Sequence, residues 1–143
     1  MEISNKNKKL ISIVIPTYNE EGCIEDLYRK IKNVISPMSN YEFEIIVIDN
    51  NSKDKTQEIL RKIATKDTYF KVILNNRNFG HIRSPYYGIL QSYADAVIYL
   101  ASDFQNPPEL IPNFIEQWEE GFKLVMAIKN KSQESFVFSF LRK

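Results

Sequence analysis

Residues 10–15 form an apolar, β-branched run, broken only by Ser12, that stops at Pro16, the pattern of a short strand buried on both faces. From residue 22 the period changes. Ile24, Leu27, Tyr28, Ile31, Val34 and Ile35 recur three and four positions apart, which paints one face of a helix that Pro37 ends. A second buried strand is predicted over 43–48. Asp49-Asn50-Asn51-Ser52 breaks it, with Ser52 as the cap of a helix that turns Ile59, Leu60, Ile63 and Ala64 inward. The alternation repeats with a strand over 70–74, a polar turn Asn75-Asn76-Arg77-Asn78, and a helix over about 82–92 with Ser84-Pro85 in its first turn. A strand over 96–100 follows, and Pro107-Pro108 opens another helix that runs to about residue 120, where Gly121 closes it. Residues 124–128 read as a fifth strand, 129–134 as a polar loop and 135–143 as a short aromatic tail.

Strands that alternate with helices through short loops predict an α/β fold: a mainly parallel sheet with helices on both faces and right-handed crossovers. The chain's 143 residues suffice for one such core and not for two. Charge is nearly balanced, Lys+Arg 19 against Asp+Glu 18, and the basic clusters (Lys6, Lys8, Lys9; Arg142, Lys143) sit at the ends. That argues against a nucleic-acid groove, which requires a one-sided basic surface. Cys23 is the single cysteine, so no intramolecular disulfide forms. The polar start of the chain does not resemble a secretory signal, and no apolar run approaches the ~20 residues of a membrane span. The expected compartment is the cytoplasm.

In an open parallel sheet, ligands bind beyond the carboxyl ends of the strands. The residues there are Pro16-Thr17-Tyr18-Asn19-Glu20-Glu21, Asp49-Asn50-Asn51-Ser52 and Asp103-Phe104-Gln105. No glycine-rich phosphate cradle follows the first strand, and Glu20 and Glu21 would repel a pyrophosphate placed there, which disfavours dinucleotide and P-loop enzymes. An acidic edge suits instead a ligand whose base and ribose are held by carboxylates and whose phosphates are neutralised by a divalent cation. Asp49 can accept hydrogen bonds from a base or ribose, and Asp103 and Gln105, two apart in an extended segment, can hold Mg²⁺ or Mn²⁺ through oxygen. An aspartate at a strand end also serves as a turn former or helix cap.

Four blocks in order carry a resemblance. Residues 13–21 (IVIPTYNEE), 49–56 (DNNSKDKT), 76–80 (NRNFG) and 102–111 (SDFQNPPELI) resemble the family 2 glycosyltransferases, and the last block most resembles their polyprenyl-phosphate branch. The resemblance runs over about 10–128. It implies a GT-A fold, which is Rossmann-like, a nucleotide-diphosphate sugar donor, a divalent cation and, in this branch, a lipid-phosphate acceptor at the membrane surface. By position it implies that Pro16, Tyr18, Glu20, Asp49, Asn78, His81 and Ser102 line the nucleotide pocket. Asp103 then carries the catalytic role, with Asp103 and Gln105 as metal ligands.

Two features depart from that pattern. Ala101 stands where the branch has the first Asp of its D-x-D, and Asn106 stands where it has a third acid. Relatives of this branch also continue into a segment that shapes the acceptor side, so the expectation is a single nucleotide-sugar-binding domain over 1–143, truncated relative to them. The tail, with Phe136, Val137, Phe138, Phe140 and Leu141 before Arg142-Lys143, is expected to cover the domain's own core, to lie at a membrane surface, or to dock onto another copy as a homo-oligomer.

Overall fold

A computed structural model describes residues 8–103 and 106–128. Four strands, β1 (Lys9–Thr17), β2 (Tyr41–Asp49), β3 (Phe70–Leu74) and β4 (Ala96–Tyr99), form one sheet in the order β3-β2-β1-β4. Every pair is parallel. Between and after them lie α1 (Ile24–Ile35), α2 (Thr56–Ala64), α3 (Gly80–Leu90), a 3₁₀ turn (Pro108–Leu110) and α4 (Ile111–Glu119).

The period-two alternation of β1 and β2 divides the core. Ile11, Ile13, Ile15, Ile45 and Val47 join Ile24, Leu27, Ile31, Leu60 and Ile111 in one cluster under α1, α2 and α4. Val14 and Ile48 point the other way, toward α3. That helix comes unusually close, because a Cβ on its Gly88 would stand 3.1 Å from Ile48 Cγ2 and 3.2 Å from Val14 Cγ1. On the same side a polar cluster is buried: Ser92 Oγ donates to Ser12 Oγ at 2.7 Å, Ser12 donates to Glu44, and Lys71 pairs with Glu44. Burying the Glu44 carboxylate is tolerable because it is both paired and hydrogen-bonded.

Most elements fall where the hydrophobic pattern puts them; the exceptions have physical reasons. Pro16 does not end β1, which continues to Thr17. Val14 accepts from Leu100 on the β4 side, so Pro16, two residues on, turns its missing N–H to that same side and beyond the last residue paired with β4. Ser52 does not cap α2. The helix starts at Thr56, whose N–H bonds Asp54 Oδ1 at 3.0 Å, and Ser52 bonds Asp49 and the loop after β1 instead. α3 begins earlier than the pattern predicts, so Pro85 lies in its second turn. Residues 124–128 form no strand: they pair with none of the described strands. The tail over 135–143 lies outside the described residues.

Candidate active site

The carboxyl edge of the sheet is built from two left-handed turns. Asn19 (φ 56°) turns the chain out of β1 and Asn51 (φ 65°) turns it out of β2, and asparagine is among the few residues that adopt this conformation at low cost. The two loops are then laced together. Asn19 N–H donates to Ser52 Oγ at 2.8 Å, Lys53 N–H to Asn19 Oδ1 at 2.8 Å, Glu20 N–H to Thr56 Oγ1 at 2.8 Å, Glu21 N–H to Asp54 Oδ2 at 3.1 Å, and Lys55 N–H to Glu21 Oε2 at 2.8 Å. Burial alone would raise the Asp54 pKa, but hydrogen bonds from Thr56 and Glu21 outweigh it and hold the carboxyl below its ordinary value. Much of the first two sequence blocks is therefore spent on joining loops.

Glu20 extends the lacing to the third loop. Its carboxylate accepts the Cys23 thiol at 2.9 Å and the Ser102 hydroxyl at 3.2 Å. Desolvation, then the Glu20 hydrogen bond and charge, push the Cys23 thiol up to about 12, so it stays protonated. Asn50 organises the fourth side. Its Nδ2 donates to Asn78 Oδ1 at 2.8 Å, and its Oδ1 accepts the Phe79 N–H at 2.8 Å, which fixes the turn into α3 at Gly80 (φ 84°).

These loops enclose a cleft of about 410 Å³ on the α3 side of the sheet edge. It is lined by Pro16, Tyr18, Glu20, Asn78, His81, Ser102 and Asp103, seven of the candidate residues, gathered from three separate loops. Tyr18 is half exposed at its rim, and Ala101 and Tyr99 complete the wall. Burial, then the charge of Asp103, push the Tyr99 phenol above its ordinary value, which places the Asp103 carboxylate near that ring.

Asp49 is not brought to the cleft. It is fully buried on the α2 side, where it accepts the Ser52 N–H at 3.0 Å, the Ser52 hydroxyl and Gln57 Nε2 at 2.6 Å. Asn50 and Thr17, which sequence reasoning did not single out, line the cleft instead. The signal for Asn50 was the strand period: Ile48 faces α3, so Asn50 does too, and Asp49 must face away. Thr17 is 3% exposed, and its Oγ1 is a buried polar atom without a hydrogen-bond partner among the described residues. Gln105 lies outside the described residues.

The described residues offer a divalent cation few ligands. Among the described residues no group of three His, Cys, Asp or Glu is placed to hold a metal. Two carboxylates line the cleft, and that of Glu20 already accepts two hydrogen bonds. Asp103 is exposed at the cleft, and a carboxylate there fits a hard cation that draws its other ligands from water and substrate phosphate.

The parallel sheet with its helices, and the cleft at its carboxyl edge, have the GT-A fold of glycosyltransferases. Residues 12–142 match the family model described as glycosyl transferase family 2, and the chain belongs to that family. Among its relatives is the uncharacterized glycosyltransferase YkcC of Bacillus subtilis, 36% identical over 127 residues, 89% of this chain and 39% of that protein. Another is the undecaprenyl-phosphate 4-deoxy-4-formamido-L-arabinose transferase of Pseudomonas syringae pv. syringae, 35% identical over 128 residues, 89% of this chain and 38% of that one. The chain thus spans under two-fifths of these relatives. Among solved structures, S. aureus TarS 1-349 in complex with UDP-GlcNAc superposes with a TM-score of 0.62 at 26% identity, over 77% of this chain and 31% of that one. The mannosyltransferase PcManGT from Pyrobaculum calidifontis, solved with GDP-Man and Mn²⁺, shares the fold with a TM-score of 0.59 at 20% identity, over 68% of this chain and 28% of that one.

Proposed function

We propose that this chain is the donor-binding part of a glycosyltransferase that moves a sugar from a nucleoside diphosphate to a polyprenyl phosphate, with inversion at the anomeric carbon. The observation that carries the reading is the convergence of Pro16, Tyr18, Glu20, Asn78, His81, Ser102 and Asp103 on one cleft. The undecaprenyl-phosphate specificity in the name of the Pseudomonas relative supports the lipid-phosphate acceptor, and TarS with UDP-GlcNAc supports the donor class.

In this reading Tyr18 packs against the nucleoside at the rim, and the amides of Asn50 and Asn78 meet the hydrogen-bonding edge of the base or ribose. Asp49 acts behind them by holding the turn that presents Asn50. His81, in the first turn of α3, contacts the diphosphate, where a helix N-terminus also favours negative charge. Asp103 and Gln105 would hold Mg²⁺ or Mn²⁺ beside the diphosphate. That ion, when bound, supplies Lewis-acid neutralisation of charge on the leaving diphosphate. The acceptor's phosphate is already ionised at neutral pH, its second pKa being ~6, so no protein base is required. A phosphate oxygen forms the new bond to the anomeric carbon from the face opposite the leaving group. The old carbon–oxygen bond breaks, and the nucleoside diphosphate departs with the electron pair. A lipid acceptor places the protein at the inner face of a membrane; among the described residues no helix is long and apolar enough to cross one.

Ala101 favours a second reading, a nucleotide- or partner-binding module without transfer, because it removes a carboxylate from the cleft wall. Hydrolysis of nucleotide sugar separates the two. A competent site releases nucleoside diphosphate slowly to water, whereas binding with no release over many hours contradicts the transferase reading.

A further inference from the structure

The helices on the two sides of the sheet show solvent different surfaces. On α1 the exposed positions are Glu25, Asp26, Arg29 and Lys30, and on α2 they are Glu58, Arg61 and Lys62. Both are ordinary charged outer faces. α3 differs: it buries Ser84, Pro85 and Gly88 against the sheet, and its outward face carries Ile82, Tyr86, Tyr87 and Leu90 at 71%, 62%, 49% and 56% exposure. Tyr93, just past its end, is 96% exposed. Positions 82, 86, 90 and 93 are spaced by four, four and three, so they make one stripe down the helix. A helix that is apolar on both faces belongs in an interior, yet among the described residues this stripe is open. A contiguous exposed apolar patch of this kind marks a surface that another body covers.

We infer that the outward face of α3 is a docking surface for an anionic lipid bilayer. Charge points to that occupant. From Thr68 to Ala94 the chain has no acidic residue, and Arg77, His81 and Arg83, all exposed, flank the stripe. Arg77 and Arg83 take part in none of the ion pairs among the described residues, so their charge is left to face lipid phosphate. The side-chain chemistry agrees. Tyr86, Tyr87 and Tyr93 combine an apolar ring with a polar hydroxyl, which suits the headgroup boundary, while Ile82 and Leu90 suit the first carbons of the acyl chains. Position agrees as well, because the same helix turns His81, Ser84 and Pro85 to the cleft. A bilayer seated on the outward face therefore lies beside the cleft mouth, and a lipid-borne phosphate can reach it without leaving the membrane surface. The inference names the membrane face of the proposed lipid-acceptor reading and rests on that reading.

Co-sedimentation of the full 143-residue chain with lipid vesicles, in the absence of nucleotide, tests it. Vesicles containing phosphatidylglycerol should bind at least about tenfold more tightly than pure phosphatidylcholine, and the difference should shrink as salt rises. Arg83→Gln should weaken binding to the anionic vesicles about fivefold. Ile82→Ser combined with Leu90→Ser should weaken it about tenfold or more. None of these three side chains lines the cleft, so titration with UDP and GDP should match wild type. That titration decides the donor site separately, so vesicle binding can fail while the donor reading stands, and the reverse. Three results would overturn the inference: no vesicle binding by wild type, vesicle binding that the substitutions leave unchanged, or a concentration-dependent dimer, seen by sedimentation velocity without vesicles, that the same substitutions dissolve. The last would assign the face to a second copy of the chain. Arg83→Gln decides the question even if the double variant does not fold.

Discussion

Ser102 donates its hydroxyl to Glu20 at 3.2 Å, and this bond, together with that from the Cys23 thiol to the Ser102 carbonyl at 3.4 Å, ties the loop after β4 to the loop after β1 across the candidate cleft. Ser102 sits between Ala101 and Asp103, so Glu20 fixes the approach of the acidic loop although it is far from it in sequence. The Cys23 thiol shares the same carboxylate.

Glu20→Ala therefore removes two hydrogen bonds, leaving the Ser102 hydroxyl without that acceptor and the Cys23 thiol with only the carbonyls of residue 20 and Ser102. Stability to chemical denaturation should fall by about 1–3 kcal/mol. The Cys23 pKa should drop from about 12 toward its ordinary range, read as faster alkylation by iodoacetamide at pH 8. The sign of the pH dependence follows from a folded pKa raised above the unfolded one. The stabilisation from protonated Cys23 is complete below about pH 8.5 and is lost as pH rises toward 12. A Cys23→Ser variant should lack that alkaline loss.

Asp67 makes an equivalent test far from the cleft. Burial raises its pKa, but Lys32 Nζ at 2.8 Å and the Tyr28 hydroxyl at 2.9 Å outweigh burial and hold it below the ordinary value. A depressed carboxylate contributes stability above its unfolded pKa of about 3.9 and loses it as pH falls through the folded pKa. Asp67→Asn should cost roughly 1–3 kcal/mol at pH 7 by urea unfolding, and the difference from wild type should shrink as pH falls through the lowered folded pKa.

The fold was legible in the sequence where burial is two-sided and period and length agree, as in β1, β2, β3, α1 and α4. Residues 124–128 read as a strand because their pattern is that of a strand; the sequence of a segment carries its period and not its hydrogen-bond partner. The cleft was legible as a set of loops at strand ends, and seven candidates meet there. An aspartate at a strand end signals a turn and a ligand equally well, and for Asp49 the structure shows the turn, while the strand period places Asn50 on the cleft side. The lacing of Asn19, Glu21, Ser52, Asp54 and Thr56 was hidden because each bond joins loops more than thirty residues apart.

Gly88→Ala should destabilise the protein although alanine is the better helix former by about 1 kcal/mol. The new methyl meets two β-branched side chains on the sheet at 3.1 and 3.2 Å, and neither can swing away. Overpacking of about 1–3 kcal/mol should exceed the propensity gain and lift α3, which carries Ser84 and Pro85 into the cleft wall. Thermal unfolding reads the first effect and weaker nucleotide binding the second.

Ala101→Asp places another carboxylate on the wall of the cleft that Asp103 also lines. Affinity for Mn²⁺ in the presence of nucleoside diphosphate should rise about tenfold or more, equivalent to ~1.4 kcal/mol. Without nucleotide the two carboxylates repel, and a small loss of stability is expected. Unchanged Mn²⁺ affinity would show that this loop does not take the metal.

Calorimetric titration of UDP and GDP, each with and without Mn²⁺, into wild-type protein and Asp103→Ala tests most directly whether the cleft is a donor site. At least one of the two should bind, Mn²⁺ should tighten it tenfold or more, and Asp103→Ala should remove that increment without unfolding the protein. Absence of binding by both nucleotides, or a Mn²⁺ increment that survives Asp103→Ala, would contradict the assignment.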